Sequence, residues 1–169
     1  MATELDWSYS ISEIPETGLS GNRHATADQR SAIAAALDLI GCNRLDARFK
    51  ITHLRQGRFL LEGTVAAEVV QSCVVTLDPV EGKIVEPFEV EFRPSLPDGG
   101  ADFDALESRD IEPLEGSTIP VGRIVYEHLA SAIDPYPRKE GAELEQPAPR
   151  EDQEARNPFA VLKQLKSRE

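Results

Sequence analysis

Cysteine is scarce in this sequence: Cys42 and Cys73 are the only two among 169 residues. One pair cannot make a disulfide framework. A single Cys42–Cys73 bond is conceivable, but two reduced, buried thiols are the expectation. The histidines His24, His53 and His128 are scattered, and C-x-x-C and H-E-x-x-H are absent. A metal site would have to be assembled by folding alone, so neither metal nor cofactor is expected. G-x-S-x-G, Walker and G-x-G-x-x-G motifs are missing too. No apolar run approaches the roughly 18 to 20 residues that cross a bilayer, which excludes a helical membrane span. Residues Met1 to Ser10 carry no basic region followed by an apolar one, so the expected location is cytoplasmic. Cations are outnumbered, 18 Lys and Arg against 30 Asp and Glu, for a formal net charge of -12. Such a chain repels phosphate on average. Tight binding to naked RNA is not expected, and basic partners are favoured.

What is present suffices for one core. Hydrophobic residues make up 40% of the chain, and the length suits one compact domain with a tail. The charge is uneven. Arg44, Arg48, Lys50, Arg55 and Arg58 face only Asp46. From Asp78 to Glu115 acids dominate, with Glu86, Glu89, Glu91, Asp98, Asp102, Asp104, Glu107, Asp110 and Glu112 among them.

Asp6 to Ile14 reads as a short strand in which Trp7, Tyr9 and Ile11 alternate with polar residues and Pro15 ends the run. Gly18 and Gly21 mark a loop. Thr26 and Gln29 have the spacing of a capping box. The helix they open places Ile33, Leu37 and Ile40 on one face and ends at Gly41. Period-2 segments follow. Leu45, Ala47, Phe49 and Ile51 form one, Gln56-Gly57 a turn, and Phe59, Leu61, Gly63, Val65, Ala67 and Val69 the next. Cys73, Val75 and Leu77 continue it past an irregularity at Gln71-Ser72. Glu81-Gly82 is the expected hairpin turn, and Ile84, Phe88, Val90 and Phe92 return. The result is an antiparallel meander with one apolar and one wetter face.

Ser95 to Asp110, rich in Pro, Gly and Asp, reads as a mobile acidic loop. Ile111 to Leu114 suits a short strand. Pro120 suits the first turn of a second helix, with Val121, Ile124, Val125, Leu129, Ala132 and Ile133 as its apolar stripe. Arg123 and Glu127 are spaced for a weak surface pair, and His128 borders the stripe. Pro135 and Pro137 stop the helix.

Chemistry is sparse. The alternating position of Cys73 favours packing over nucleophilic work. Arg48 and Lys50 project to the wetter face. Two readings stay open for them: cross-strand pairing with Glu89 and Glu91, or contact with a phosphate or an acidic partner. Phe49, Phe59, Phe88 and Phe92 align with the buried face, which argues against base stacking on the sheet.

The segment Gln71-Ser72-Cys73-Val74-Val75-Thr76-Leu77-Asp78-Pro79-Val80 resembles a signature of the YceD family. So does Ile133-Asp134-Pro135-Tyr136-Pro137-Arg138 after a Glu127-containing helix. Ala25-Thr26-Ala27-Asp28-Gln29-Arg30 and Asn157-Pro158-Phe159-Ala160-Val161-Leu162 resemble its alphaproteobacterial-type branch. On this resemblance the signature residues are Gln71, Cys73, Asp78, Pro79, Asp134, Pro135, Tyr136 and Pro137. It implies a role in accumulation of large-subunit ribosomal RNA and brings no catalytic residues with it. Other branches carry extra cysteines in zinc-like spacing. Here Val74, Val75 and Thr76 follow Cys73, so no zinc role transfers. Pro120 also replaces an acidic residue found in many members.

The expected fold is α+β: an antiparallel meander with two helices packed on one face and a flexible C-terminal tail bearing a short helix. Residues 1–138 form the domain, 139–156 a flexible linker, and 157–169 the tail helix with Phe159, Leu162 and Leu165 on one side. The expected function is non-enzymatic support of large ribosomal subunit biogenesis. The alternative is an acidic holding protein for a basic client. The expected partner is a basic ribosomal protein, an assembly factor or a pre-ribosomal particle. Asp98, Asp102, Asp104 and Glu107 would attract it, and Arg48 and Lys50 would add contacts.

Overall fold

The computed structural model describes residues 5–94 and 110–143. The acidic stretch with Asp98, Asp102, Asp104 and Glu107, most of the expected linker and the expected tail helix lie outside the described residues.

Strand β1 is only Tyr9–Ser10, followed by one 3-10 turn over Ile11–Glu13. The expected longer strand does not form, yet Trp7 and Ile14 are still buried. Tyr9 and Ile11 pack partly buried against the core, so the segment docks on it without a full ladder. Gly18 has a positive φ of 88° and turns the chain into β2, Leu19–His24. Gly21, expected in a loop, therefore lies inside a strand. It sits opposite Phe49, where an added Cβ would come within 2.5 Å of the ring. The missing side chain makes room for the aromatic.

Helix α1 spans Ala27–Ala36 with the expected capping box: Gln29 N–H donates to Thr26 Oγ1 at 3.2 Å and Thr26 N–H to Gln29 Oε1 at 3.0 Å. It ends earlier than expected. Asp38 takes the left-handed conformation at φ 53°, and Leu39 N–H donates to Ala34 C=O at 2.8 Å. This is the bond of a Schellman ending, with Asp in the role usually taken by Gly. Ile40 is consequently turned to solvent, and Gly41 begins a strand rather than capping a helix.

Strands β3 (Gly41–His53), β4 (Phe59–Ser72) and β5 (Pro79–Arg93) run antiparallel in sequence. Strand β6, Asp110–Pro113, then pairs with β5 in parallel, so the sheet is not a pure meander. The order is β2-β3-β4-β5-β6. Strand β7, Thr118–Ile119, pairs separately with β1. Helix α2, Val121–Ala132, follows Pro120 and buries Val121, Ile124, Val125 and Leu129. Arg123 lies outside that stripe and pairs with Glu127 at 3.0 Å and with Glu112 of β6.

Both helices join one core cluster with Leu45, Phe49, Leu61, Val65, Phe88, Val90 and Phe92. The fold is α+β with the helices on one face of the sheet. The four Phe rings expected inward are all buried. Among the described residues no helix covers the opposite face, which carries Arg48, Lys50, Glu62 and Thr64. Each fully buried Ile, Leu or Val contributes about 1.5 to 3 kcal/mol relative to exposure.

The β4–β5 hairpin turns earlier than expected. The strand stops at Ser72, Cys73 to Asp78 make the turn, and Gly82 is an ordinary strand residue opposite Val69. The positive φ needed by the turn falls on Leu77, at 61°.

Candidate functional site

The β4–β5 turn does not stand alone. Helix α2 ends at Ala132 because the chain ahead contains Pro135 and Pro137, which cannot donate to a helical ladder. Ile133 is already extended, at φ -66° and ψ 132°. The segment 134–139 then runs against the hairpin tip. Gln71 Nε2 donates to the Asp134 carbonyl at 2.8 Å, and Val74 N–H donates to the Pro137 carbonyl at 2.9 Å. Lys139 Nζ pairs with Asp78 at 2.9 Å, and its backbone N–H points at Cys73 Sγ at 3.4 Å. Tyr136 N–H donates to Asp134 Oδ1 at 2.9 Å, fixing the Asp134-Pro135-Tyr136 bend. Two segments about sixty residues apart in sequence thus form one clasp.

Inside the turn, Cys73 N–H donates to the Asp78 carbonyl at 2.8 Å and Leu77 N–H to the Cys73 carbonyl at 3.0 Å. Cys73 Sγ also receives the backbone N–H groups of Val75 at 3.5 Å and Thr76 at 3.4 Å. The sulfur is shielded from solvent by its neighbours although the turn lies at the periphery of the fold. Its surroundings favour the thiolate. The Lys139 N–H, then the Thr76 hydroxyl and N–H, lower its pKa from 9.0 to about 6; burial opposes this and the Val75 N–H adds to it. Cys42 is also a free thiol, but burial pushes its pKa up. Hydrogen bonds from Lys139 and from the Thr76 hydroxyl hold Asp78 below the usual carboxylate range, which keeps its pairing with Lys139 ionic at neutral pH.

A pH dependence follows. A thiol with a lower pKa folded than unfolded binds its proton less tightly in the fold. Its contribution is full above the unfolded value near 9 and is lost as pH falls through about 6. The stability difference between the protein and Cys73→Ala should therefore shrink from pH 9 toward pH 6. Thiolate absorbance near neutral pH should disappear in that variant and persist in Cys42→Ala. Urea unfolding across this range and an ultraviolet pH titration check both statements.

The clasp gathers exposed apolar side chains. Leu77 is 75% exposed, Tyr136 71% and Val74 46%. They are three of the five large exposed hydrophobics among the described residues. Leu77 also holds a left-handed backbone, costing roughly 1 to 2 kcal/mol for a residue with a Cβ. An apolar residue strained into solvent by a fixed turn suits a contact surface better than a core.

The signature residues Gln71, Cys73, Asp78, Asp134, Tyr136 and Pro137 are brought together here. Pro79 opens β5 opposite Ser72, and Pro135 shapes the return. Sequence reasoning missed Leu77 and Val74, assigned to a strand, and Lys139, assigned to a linker. Asp78-Pro79 was the available turn signal, since Asx-Pro favours turn initiation.

Arg48 and Lys50 lie away from the clasp, on β3. The expected pairing with Glu89 and Glu91 does not occur, because β4 separates β3 from β5. Lys50 faces Glu62 at 3.8 Å. Glu91, almost fully buried, is held by Arg93 at 2.8 Å and Arg58 at 3.0 Å, and Arg93 leads in keeping it ionised. His53 Nε2 lies 3.0 Å from the Ile14 carbonyl, and the His128 ring sits 5.5 Å from that of Phe88. Among the described residues, no three His, Cys, Asp or Glu gather to hold a metal, and no helix is long and apolar enough to cross a membrane.

No curated protein and no solved structure gives a significant match to this chain. A family model does: "Large ribosomal RNA subunit accumulation protein YceD" matches residues 61–166. The match covers well over half of the chain and contains both arms of the clasp, 71–78 and 134–139. The chain therefore belongs to the YceD family, whose role is in accumulation of the large ribosomal subunit RNA.

Proposed function

We propose that this chain supports large-subunit ribosomal RNA accumulation as a non-enzymatic binding factor, and that the clasp is where it engages a protein partner. The observation that carries this reading is the gathering of Val74, Leu77 and Tyr136, exposed on a hydrogen-bonded scaffold. A rigid turn loses little entropy on binding, so its apolar anchors retain more of their burial energy in a complex. The partner is a basic ribosomal protein or assembly factor. The chain has a formal charge of -12. Asp98, Asp102, Asp104 and Glu107 are part of that charge, which speeds encounter with a cationic protein more than it tightens the final complex. A second reading, a holding protein that keeps a basic client soluble until assembly, draws on the same charge.

Loss of the chain is expected to lower large-subunit relative to small-subunit ribosomal RNA. Quantifying both RNAs in a deletion strain over several growth conditions tests this. An unchanged ratio would remove the proposed function.

A further inference from the structure

The open face of the sheet is not featureless. Beside β2 lies a cavity of about 340 Å³ lined by Asn22, His24, Arg44, Asp46, Arg48 and Thr64. A second, of about 540 Å³, shares Asn22 and His24 and extends past Arg23 to Thr26 at the start of α1. The first falls within the roughly 300 to 1,000 Å³ of small-ligand clefts.

Its lining is organised by one carboxylate. Asp46 Oδ1 lies 2.6 Å from His24 Nδ1, while Oδ2 takes the Arg44 Nε–H. Burial raises the Asp46 pKa, but the hydrogen bonds from His24 and Arg44 outweigh it and leave the group below the usual carboxylate range. Asp46 is thereby occupied as an acceptor. It orients Arg44 while leaving that guanidinium's terminal nitrogens available, and it leaves His24 Nε2 available too. Arg48 stands next to this pair. It is flanked in register by Asn22 on β2 and Thr64 on β4. Among the described residues Arg48 makes no ion pair, and the Asn22 amide and Thr64 hydroxyl make no side-chain hydrogen bond. Two guanidinium groups, an amide and a hydroxyl therefore border one cavity with a single, already occupied carboxylate. That set of donors fits a tetrahedral oxyanion, for which arginine's planar fork is the suited partner.

We propose that this cavity is a phosphate-binding site in which Arg48 and Arg44 grip the phosphate oxygens and Asn22 and Thr64 complete the donor set. The phosphate belongs either to a single-stranded RNA backbone or to a small phosphorylated molecule. The site is separate from the clasp and does not depend on the identity of the protein partner. Its position on a chain of charge -12 keeps its affinity modest. For RNA, such a contact positions a strand that another component has already delivered.

The test is an NMR titration of the full chain, following the Arg48 and Arg44 side chains and the Asn22 amide. One arm uses inorganic phosphate, the other a single-stranded RNA dodecamer. Saturable shifts at these signals are expected, weakened about tenfold in Arg48→Ala. Lys50→Ala, which removes a cation already facing Glu62, should change affinity less than about twofold. Saturation by RNA at concentrations well below those needed for phosphate identifies the RNA backbone as the source; preference for inorganic phosphate identifies a small ligand. Absence of saturable shifts with both probes, equal shifts with chloride, or unchanged binding by a folded Arg48→Ala variant would overturn the proposal.

Discussion

Replacing Gly63 by valine is expected to remove a large share of the protein's stability. Gly63 sits in the middle strand of the sheet, opposite Phe49 on β3 and Phe88 on β5. A Cβ there would lie 2.3 Å from the Arg48 carbonyl oxygen and 2.5 Å from the Phe88 ring. The first contact is backbone and cannot rotate away. The second is a buried ring whose displacement would open the core. Overpacking costs about 1 to 3 kcal/mol where side chains can adjust. Here a main-chain ladder must also yield, so a loss of about 4 kcal/mol or more is expected, against a total stability of roughly 5 to 15. Gly82→Ala provides the contrast. Its Cβ would meet only Val69 Cγ2, at the ordinary contact distance of 3.5 Å. That variant should stay within about 0.5 kcal/mol of the parent. Urea unfolding of both variants checks the register; equal tolerance at the two positions would show that the strands are paired differently.

The second large effect concerns the clasp. Leu77→Ser combined with Tyr136→Ser is expected to weaken capture of the protein partner by about 30-fold or more, the scale of losing a central apolar anchor. Both side chains are exposed, so the fold should persist. Leu77→Gly separates contact from scaffold. Glycine relieves the strain of φ 61° and should leave stability unchanged or raise it by up to about 1 kcal/mol. It should nonetheless reduce capture. If Leu77 served only the turn, Leu77→Gly would bind as well as the parent. Affinity measurements on the captured partner, alongside thermal melts of each variant, distinguish the two cases.

Sequence periodicity made the sheet legible because burial on one face imposes a period of two. Leu45 to Ile51 and Phe59 to Val69 alternate as that rule demands. The first helix start was legible for an equally local reason: Thr26 and Gln29 satisfy each other's backbone. Its end was not, because Asp38 adopts a conformation that sequence rules assign first to glycine. The hairpin tip was misplaced for two linked reasons. Cys73, Val75 and Leu77 keep strand-like alternation into the turn, and Glu81-Gly82 imitates a turn signal inside a strand. The parallel pairing of β6 with β5 was not anticipated, since a short Ile111–Leu114 strand carries no mark of its direction.

The candidate site was half legible. Resemblance selected both arms of the clasp, but nothing in either segment shows that they touch. Their contact is made largely by backbone groups, such as Val74 N–H to the Pro137 carbonyl, and backbone chemistry is the same for every sequence. Lys139 was invisible for a different reason. It opens a polar, charge-mixed stretch, and only the fold places its amine on Asp78. Arg48 and Lys50 were equivalent on paper. Strand order separated them, giving Lys50 an acid to face and leaving Arg48 at a cavity.

Engagement of a protein partner through the clasp is tested by affinity purification of the chain from its own cells, with and without ribonuclease, in the parent and the Leu77/Tyr136 double variant. The parent should retain a basic large-subunit ribosomal protein or assembly factor after the RNA is destroyed, and the double variant should not. Loss of every partner on ribonuclease treatment, or equal retention by parent and variant, would contradict it.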